Sequence, residues 1–304
     1  MRIAPDDADR LAATAIRWYD AHARDLPWRR GGTSPWAVLV SEIMLQQTPV
    51  ARVIPAYDGW LARWPTPSSL AADAPGETVR MWGKLGYPRR ALRLREAAVA
   101  IRDRHDGMVP DDLEALLALP GVGAYTARAV AAFAFGQRVP VVDTNVRRVL
   151  ARAVHGTALP GASTTARDLD DALELLPAEP DRAAHASVAF MEIGAVVCAS
   201  AAPRCPACPL RDRCAWLAAG SPAYDGPVRR PQRFAGTDRQ VRGLLLDVLR
   251  GIDAPVSKAA LDIVWADPVQ RERALDGLVV DGLLDPLSGG RYALPAGITQ
   301  DGPH

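Results

Sequence analysis

Cysteine is nearly missing from this chain of 304 residues: there are four, all between Cys198 and Cys214, and none elsewhere. So confined a set argues against a disulfide-stapled secreted fold and for thiols gathered around a metal. Also missing is any apolar run approaching the roughly 18 residues of a membrane span, so no membrane association is expected. The opening MRIAPDDADR lacks the charged-then-apolar pattern of a leader. The expected location is therefore cytoplasmic, nucleoid-associated in a bacterial cell. Excess charge is lacking too, since 36 basic and 35 acidic side chains leave a net of +1. Bulk electrostatics do not by themselves announce a nucleic-acid partner. No internal repeat is present.

What is there suffices for two or three compact units, with an apolar fraction of 49% and a charged fraction of 23%. Charge is unevenly spread: from Thr237 onward there are 7 basic and 10 acidic residues, against 29 and 25 before it. An anion-binding surface is expected before residue 237. Hydrophobic periodicity predicts a mainly α protein, with helices over 8–22, 37–47, 50–63, 69–81, 89–105, 111–119, 124–135, 145–154, 164–176 and 181–197. A Pro/Gly/Arg-rich linker follows over 221–236. Beyond it, helices over 237–250, 257–265 and 269–281 and a β-hairpin turning on Gly289-Gly290 suggest a winged-helix-like domain over 237–304.

Four features carry chemistry. Leu119-Pro120-Gly121-Val122-Gly123 joins two helices by a turn whose backbone N–H groups can face one way, at a helix start that favours anions. Taken alone it reads more readily as a corner that merely needs glycine. Cys198-x6-Cys205-x2-Cys208-x5-Cys214 supplies four thiolates, the ligand set of either zinc or an iron–sulfur cluster. Asp143 ends the apolar run Val139–Val142, where a helix N-cap is the plain alternative to a catalytic carboxylate. Glu42 interrupts the apolar Val38–Leu45, where a lone carboxylate costs stability or has its pKa raised, unless it lies on an exposed face.

Together, SEIMLQQTPV (41–50), LGYPRRALRL (85–94), LPGVGAYTARAVAAFAFG (119–136), VVDTNVRRVLAR (141–152) and MEIGAVVC (191–198) resemble the MutY family of adenine DNA glycosylases in order and spacing. That family belongs to the endonuclease III, or helix-hairpin-helix, superfamily. The resemblance implies two helical subdomains with a [4Fe-4S] cluster loop over 198–214, within a glycosylase region of 1–220. Cys198, Cys205, Cys208 and Cys214 would be the cluster ligands, and a monovalent cation at the hairpin is a further implied cofactor. Glu42 would protonate adenine at N7, and Asp143 would stabilise the oxocarbenium ion. Asn145 would place water or support Asp143. Tyr125 stands where strand-cutting members carry a nucleophilic lysine, which implies a monofunctional hydrolase that leaves an abasic site. Trp28 and Arg29 would surround the extruded base, Gln47 and Tyr87 would wedge into the stack, and Gly121, Val122 and Gly123 would grip the backbone.

The implied partner is double-stranded DNA with adenine opposite 8-oxoguanine or guanine, bound by a monomer. Three departures bear on that choice. Val188 replaces a polar residue that often contacts the adenine edge, Pro88 follows Tyr87 in place of a second tyrosine, and no Nudix-like pattern follows the linker. A T:G or U:G mismatch glycosylase and a non-catalytic iron–sulfur DNA-binding module are the competing readings. For the C-terminal domain, with no partner identified, packing or protein contact is expected rather than DNA reading. The linker residues Arg229, Arg230 and Arg233 are better placed in sequence to touch phosphates.

Overall fold

The computed structural model describes residues 3–226 and 233–296, so Arg229 and Arg230 lie outside the described residues. The chain is helical nearly throughout. In order come α1 (Pro5–His22), α2 (Pro35–Leu45), α3 (Val50–Arg63), α4 (Pro67–Ala72), α5 (Pro75–Trp82), α6 (Arg89–Arg104), α7 (Leu113–Leu117) and α8 (Ala124–Phe135). There follow α9 (Thr144–Ala153), α10 (Ala166–Glu174), α11 (Pro180–Val196) and α12 (Ala215–Ala218). The last part contains α13 (Asp238–Arg250), β1 (Val256–Ser257), α14 (Lys258–Asp262), α15 (Pro268–Val280), β2 (Asp285–Leu287) and β3 (Arg291–Ala293). No helix among the described residues is long and apolar enough to cross a membrane.

Two compact units form, and neither is continuous in sequence: one takes 1–38, 111–117 and 122–228, the other 39–110, 118–121 and 229–304. In the first, α11 packs against α1, α8 and α9. Leu11, Ala15, Val146, Leu150, Phe190 and Ile193 form its buried centre. Gly194 lets α11 approach α9 closely, because a Cβ there would lie 2.7 Å from the Asn145 backbone oxygen.

In the second unit, Trp60 meets Trp64 and Trp82 edge-to-face at 4.6 and 5.5 Å. Its C-terminal lobe (233–296) has its own apolar cluster, including Val241, Leu245, Leu275 and Leu278, and α5 contributes Val79 to it. The three strands pair antiparallel in the order β1-β3-β2, with Tyr292 opposite both Val256 and Pro286.

Several elements differ from the sequence expectation. The helix over 69–81 is two helices, because Pro75 holds Ala74 extended (φ −66°, ψ 143°) and Asp73 ends α4. The expected 37–47 helix stops at Leu45, and Gln47 takes a left-handed backbone (φ 57°). The 111–119 helix shrinks to α7, whose first turn is capped by Asp112 accepting from the Ala115 amide at 2.8 Å. Over 257–265 a short strand precedes α14, because Val256 and Ser257 pair with β3 before Ser257 caps the helix.

Candidate functional site

Asp143 is indeed the N-cap of α9. Its Oδ1 accepts from the amides of Asn145 (2.9 Å) and Val146 (2.7 Å). Its Oδ2 accepts from the Asn145 side-chain amide at 2.7 Å. Burial pushes the Asp143 carboxyl above the ordinary aspartate range, and these donors, with Arg148 nearby, oppose that rise. A half-buried carboxylate so held is fixed in direction. It can meet positive charge on a reacting sugar without first reorganising.

Sequence reasoning missed the support behind it. Arg148 donates to Asn145 Oδ1 (2.8 Å), to the Gly194 carbonyl (2.6 Å) and to the Cys198 carbonyl (2.6 Å). One guanidinium thus links the Asp143–Asn145 pair to the start of the cysteine loop. Arg152, one turn further, donates to the carbonyls of Ala199 (2.8 Å) and Ser200 (3.0 Å) and approaches Cys198 Sγ at 3.4 Å. It also lies over the Trp216 ring. The arginine-rich pattern of α9 was the available signal, since arginines on a buried helix face must find acceptors.

All four cysteines are half-buried and within electrostatic reach of Cys208. Burial pushes the Cys208 thiol up to about 11 and Cys214 upward as well, so a thiolate there needs a cation to hold it. Among the described residues no three His, Cys, Asp or Glu side chains converge on a single ion. The Leu210 amide donates to Cys208, the Trp216 and Leu217 amides to Cys214, and Arg152 approaches Cys198. Such donors suit anionic sulfur. The four half-buried thiols, with these donors beside them, are a ligand set for zinc or an iron–sulfur cluster.

Glu192 is the second carboxylate of this unit, fully buried and clamped by two arginines. Arg24 Nε and Nη2 donate to its two oxygens at 2.6 and 2.8 Å, and Arg29 Nη1 donates to Oε2 at 2.8 Å. Burial alone would raise the Glu192 pKa, but the arginine pairing outweighs it and holds the group at about 2. Arg29 and the buried Trp28 sit together on the turn Pro27–Arg29, so this clamp sets the turn. Val188 is half-buried on α11, and the neighbouring Ser187 hydroxyl is buried without a protein partner. Tyr125 lies half-buried in the first turn of α8, against a cluster containing Ala129, Ala132 and Val141.

In the other unit, Glu42 is only 6% exposed, between Leu39, Val40, Ile43 and Met44, each at most 1% exposed. It does not lie on an exposed helix face. Gln47 (φ 57°) and Tyr87 (φ 48°) are both exposed and both left-handed, a backbone that non-glycine residues rarely adopt. Arg90 holds the two turns together. It donates to the carbonyls of Ile43 (2.8 Å), Met44 (3.0 Å) and Gly86 (2.8 Å) and to Thr48 Oγ1 (2.8 Å). Its guanidinium also sits over the Trp82 and Tyr87 rings at 5.1 and 5.7 Å. Burial lowers the Arg90 pKa to about 10, leaving it charged at neutral pH.

The hairpin glycines differ from each other. Gly121 has φ +77°, and a Cβ there would lie 2.7 Å from Arg93 Cβ, so this position requires glycine. Gly123 has φ −88° and open space around it. It caps α8 with no side chain, leaving the helix start bare towards a ligand. Val122 between them is buried.

The family described as "HhH-GPD superfamily base excision DNA repair protein" matches residues 40–174. The chain is 58% identical over 281 residues to a Mycobacterium tuberculosis protein named adenine DNA glycosylase, covering 92% of each. It is 60% identical over 282 residues to the one from Mycolicibacterium smegmatis, covering 92% of this chain and 94% of that one. A solved thermostable thymine-DNA glycosylase superposes with a TM-score of 0.64 at 27% identity, over 71% of this chain and all of that one.

Proposed function

Because the chain belongs to the adenine DNA glycosylase family of the helix-hairpin-helix superfamily, we propose that it removes adenine from mispaired duplex DNA by hydrolysis of the N-glycosidic bond. The observation that carries this reading is Asp143, a carboxylate fixed by three donors and poised for a developing cation. Adenine leaves poorly as an anion, so the chemistry needs a proton donor as well as a fixed negative charge. Buried Glu42 is assigned the first task, protonation at N7, and Asp143 the second. Asn145, bonded to Asp143, steers the carboxylate and the incoming water.

Tyr125 cannot form an imine, so the sugar–phosphate strand stays intact. Gln47 and Tyr87 fill the gap left by the extruded base, with Trp28 and the Arg29–Glu192 pair bordering its pocket. The bare start of α8 at Gly123 binds backbone phosphate, and the monovalent cation implied at the hairpin would add to that charge. Cys198, Cys205, Cys208 and Cys214 would hold a [4Fe-4S] cluster, which in this reading stiffens the loop that Arg148 and Arg152 grip. We further read the protein as a monomer acting on A:8-oxoguanine and A:G pairs.

The direct test offers purified protein duplexes containing A:8-oxoguanine, A:G or T:G and identifies the released base by mass. Adenine from the first two is expected. Thymine release would move the chain to the T:G alternative, a reading favoured only by the likeness to the thymine-DNA glycosylase. Release of no base, with the visible absorbance of the cluster intact, would reduce the protein to a binding module.

A further inference from the structure

The C-terminal lobe is fastened to the segment that carries Tyr87, on both sides of it. Before Tyr87, the Gly76 amide donates to the Pro295 carbonyl at 2.7 Å, and a Cβ at Gly76 would meet that oxygen at 2.8 Å. Arg80 donates to the Arg250 carbonyl at 2.5 Å and pairs with Asp253 at 3.2 Å, while Arg250 donates back to the Val79 carbonyl at 3.0 Å. After Tyr87, Arg89 pairs with Asp281 at 3.2 Å, and Arg242 of α13 holds the same carboxylate. At the centre, Arg239 Nη1 donates to the Tyr87 hydroxyl at 3.4 Å, and Nη2 to the Arg233 carbonyl at 3.1 Å.

The cations of the lobe divide into two kinds. Lys258 and Arg271 share Asp262 at 2.5 and 3.0 Å, Glu272 supplies the second negative charge at Lys258, and Asp238 pairs with Arg273 at 2.7 Å. The third helix, α15, therefore presents paired charge and is poorly suited to phosphate. Arg239 is exposed, and its partners among the described residues are a hydroxyl and a carbonyl, neither of which carries a compensating charge.

We propose that the C-terminal lobe meets the duplex through Arg239, which steadies Tyr87 in its left-handed pose and binds a backbone phosphate beside it. This rests on the reading of Tyr87 as a wedge in the base stack. A guanidinium has five N–H donors, enough to serve the hydroxyl, the carbonyl and a phosphate together. The lobe is then a part of lesion recognition built onto the wedge, rather than a separate reader of the opposite base.

The test uses the full-length protein carrying Asp143→Asn to silence excision, alone and combined with Arg239→Ala or Arg239→Lys. Binding to an A:G duplex is measured across a salt series. Arg239→Ala is expected to weaken binding about fivefold near 0.1 M salt and to lower the slope of log affinity against log salt by about one, with lysine restoring the slope. A residue that only supported Tyr87 would leave the slope unchanged, and that result overturns the proposal. Excision by otherwise native protein separates the two layers. If Tyr87→Ala excises and binds like the native chain, the wedge reading fails and the positioning of Tyr87 by Arg239 falls with it, while the salt slope still decides the phosphate contact. If Tyr87→Ala is impaired and Arg239→Ala is native in both assays, the wedge stands and the Arg239 proposal is refuted.

Discussion

Around Asp143 the first unit is wired by guanidinium groups: Arg148 and Arg152 reach main-chain carbonyls, and Arg24 and Arg29 clamp Glu192. In the second unit Glu42 is buried on the apolar helix α2, Arg90 reaches the neighbouring carbonyls of Ile43 and Met44, and Trp60 meets Trp64 and Trp82 edge-to-face. The contrast suits the two assigned tasks. A carboxylate that must meet a developing cation benefits from directed donors, and a proton donor benefits from burial, which favours its neutral form. Gln47 and Tyr87, both left-handed, also belong to the second unit.

The contrast breaks most visibly at the two carboxylates. Asp143→Asn should reduce adenine excision by about 10³-fold or more in single-turnover assays. It should leave the melting temperature unchanged or raised, because asparagine can still cap α9. The sign follows from the Asp143 pKa, which lies above its unfolded value. Holding the ionised form in the fold therefore costs stability above the unfolded pKa, a cost the amide removes. Glu42→Gln should slow excision by about 10²-fold or more with little change in melting. Unfolding of either variant, or near-native rates, would contradict the assigned division of labour.

Much of this was legible in the chain. The Leu-Pro-Gly-Val-Gly turn, the Val-Asp-x-Asn segment and the cysteine spacing pointed to candidate residues through their family resemblance, because each is a short contiguous motif. Arg148, Arg90 and Glu192 were not legible as supports, since each also bonds residues 46 or more positions away in sequence. The left-handed backbone at Gln47 was hidden because no glycine marks it and the first helix breaker after Leu45 is Pro49. The docking of the C-terminal lobe was equally hidden, as Val79 looks like any buried residue of α5 until the cluster it joins is known.

Smaller effects sharpen the comparison further. Glu192→Gln should lower stability by about 3 kcal/mol near neutral pH, since two arginines lose their counter-charge in a buried setting. The native Glu192 contribution is present in full above its unfolded pKa near 4.5 and disappears as pH falls towards about 2. Melting curves of native and variant protein should therefore converge over that window. At the hairpin, Gly121→Ala should destabilise by about 1–2 kcal/mol through its positive φ and the Arg93 contact. Gly123→Ala should barely change melting, yet weaken duplex binding by shielding the bare start of α8. Equal stability losses at both glycines would remove the distinction drawn between them.

The account turns most directly on what remains of the strand after the base has gone. A single-turnover reaction on an A:8-oxoguanine duplex, quenched and divided, with only one half heated in alkali, answers this in one gel. Hydrolysis with Tyr125 in the lysine position leaves an intact strand that breaks only in the alkali-treated half. Efficient cleavage in the untreated half, at the rate of base release, would contradict it.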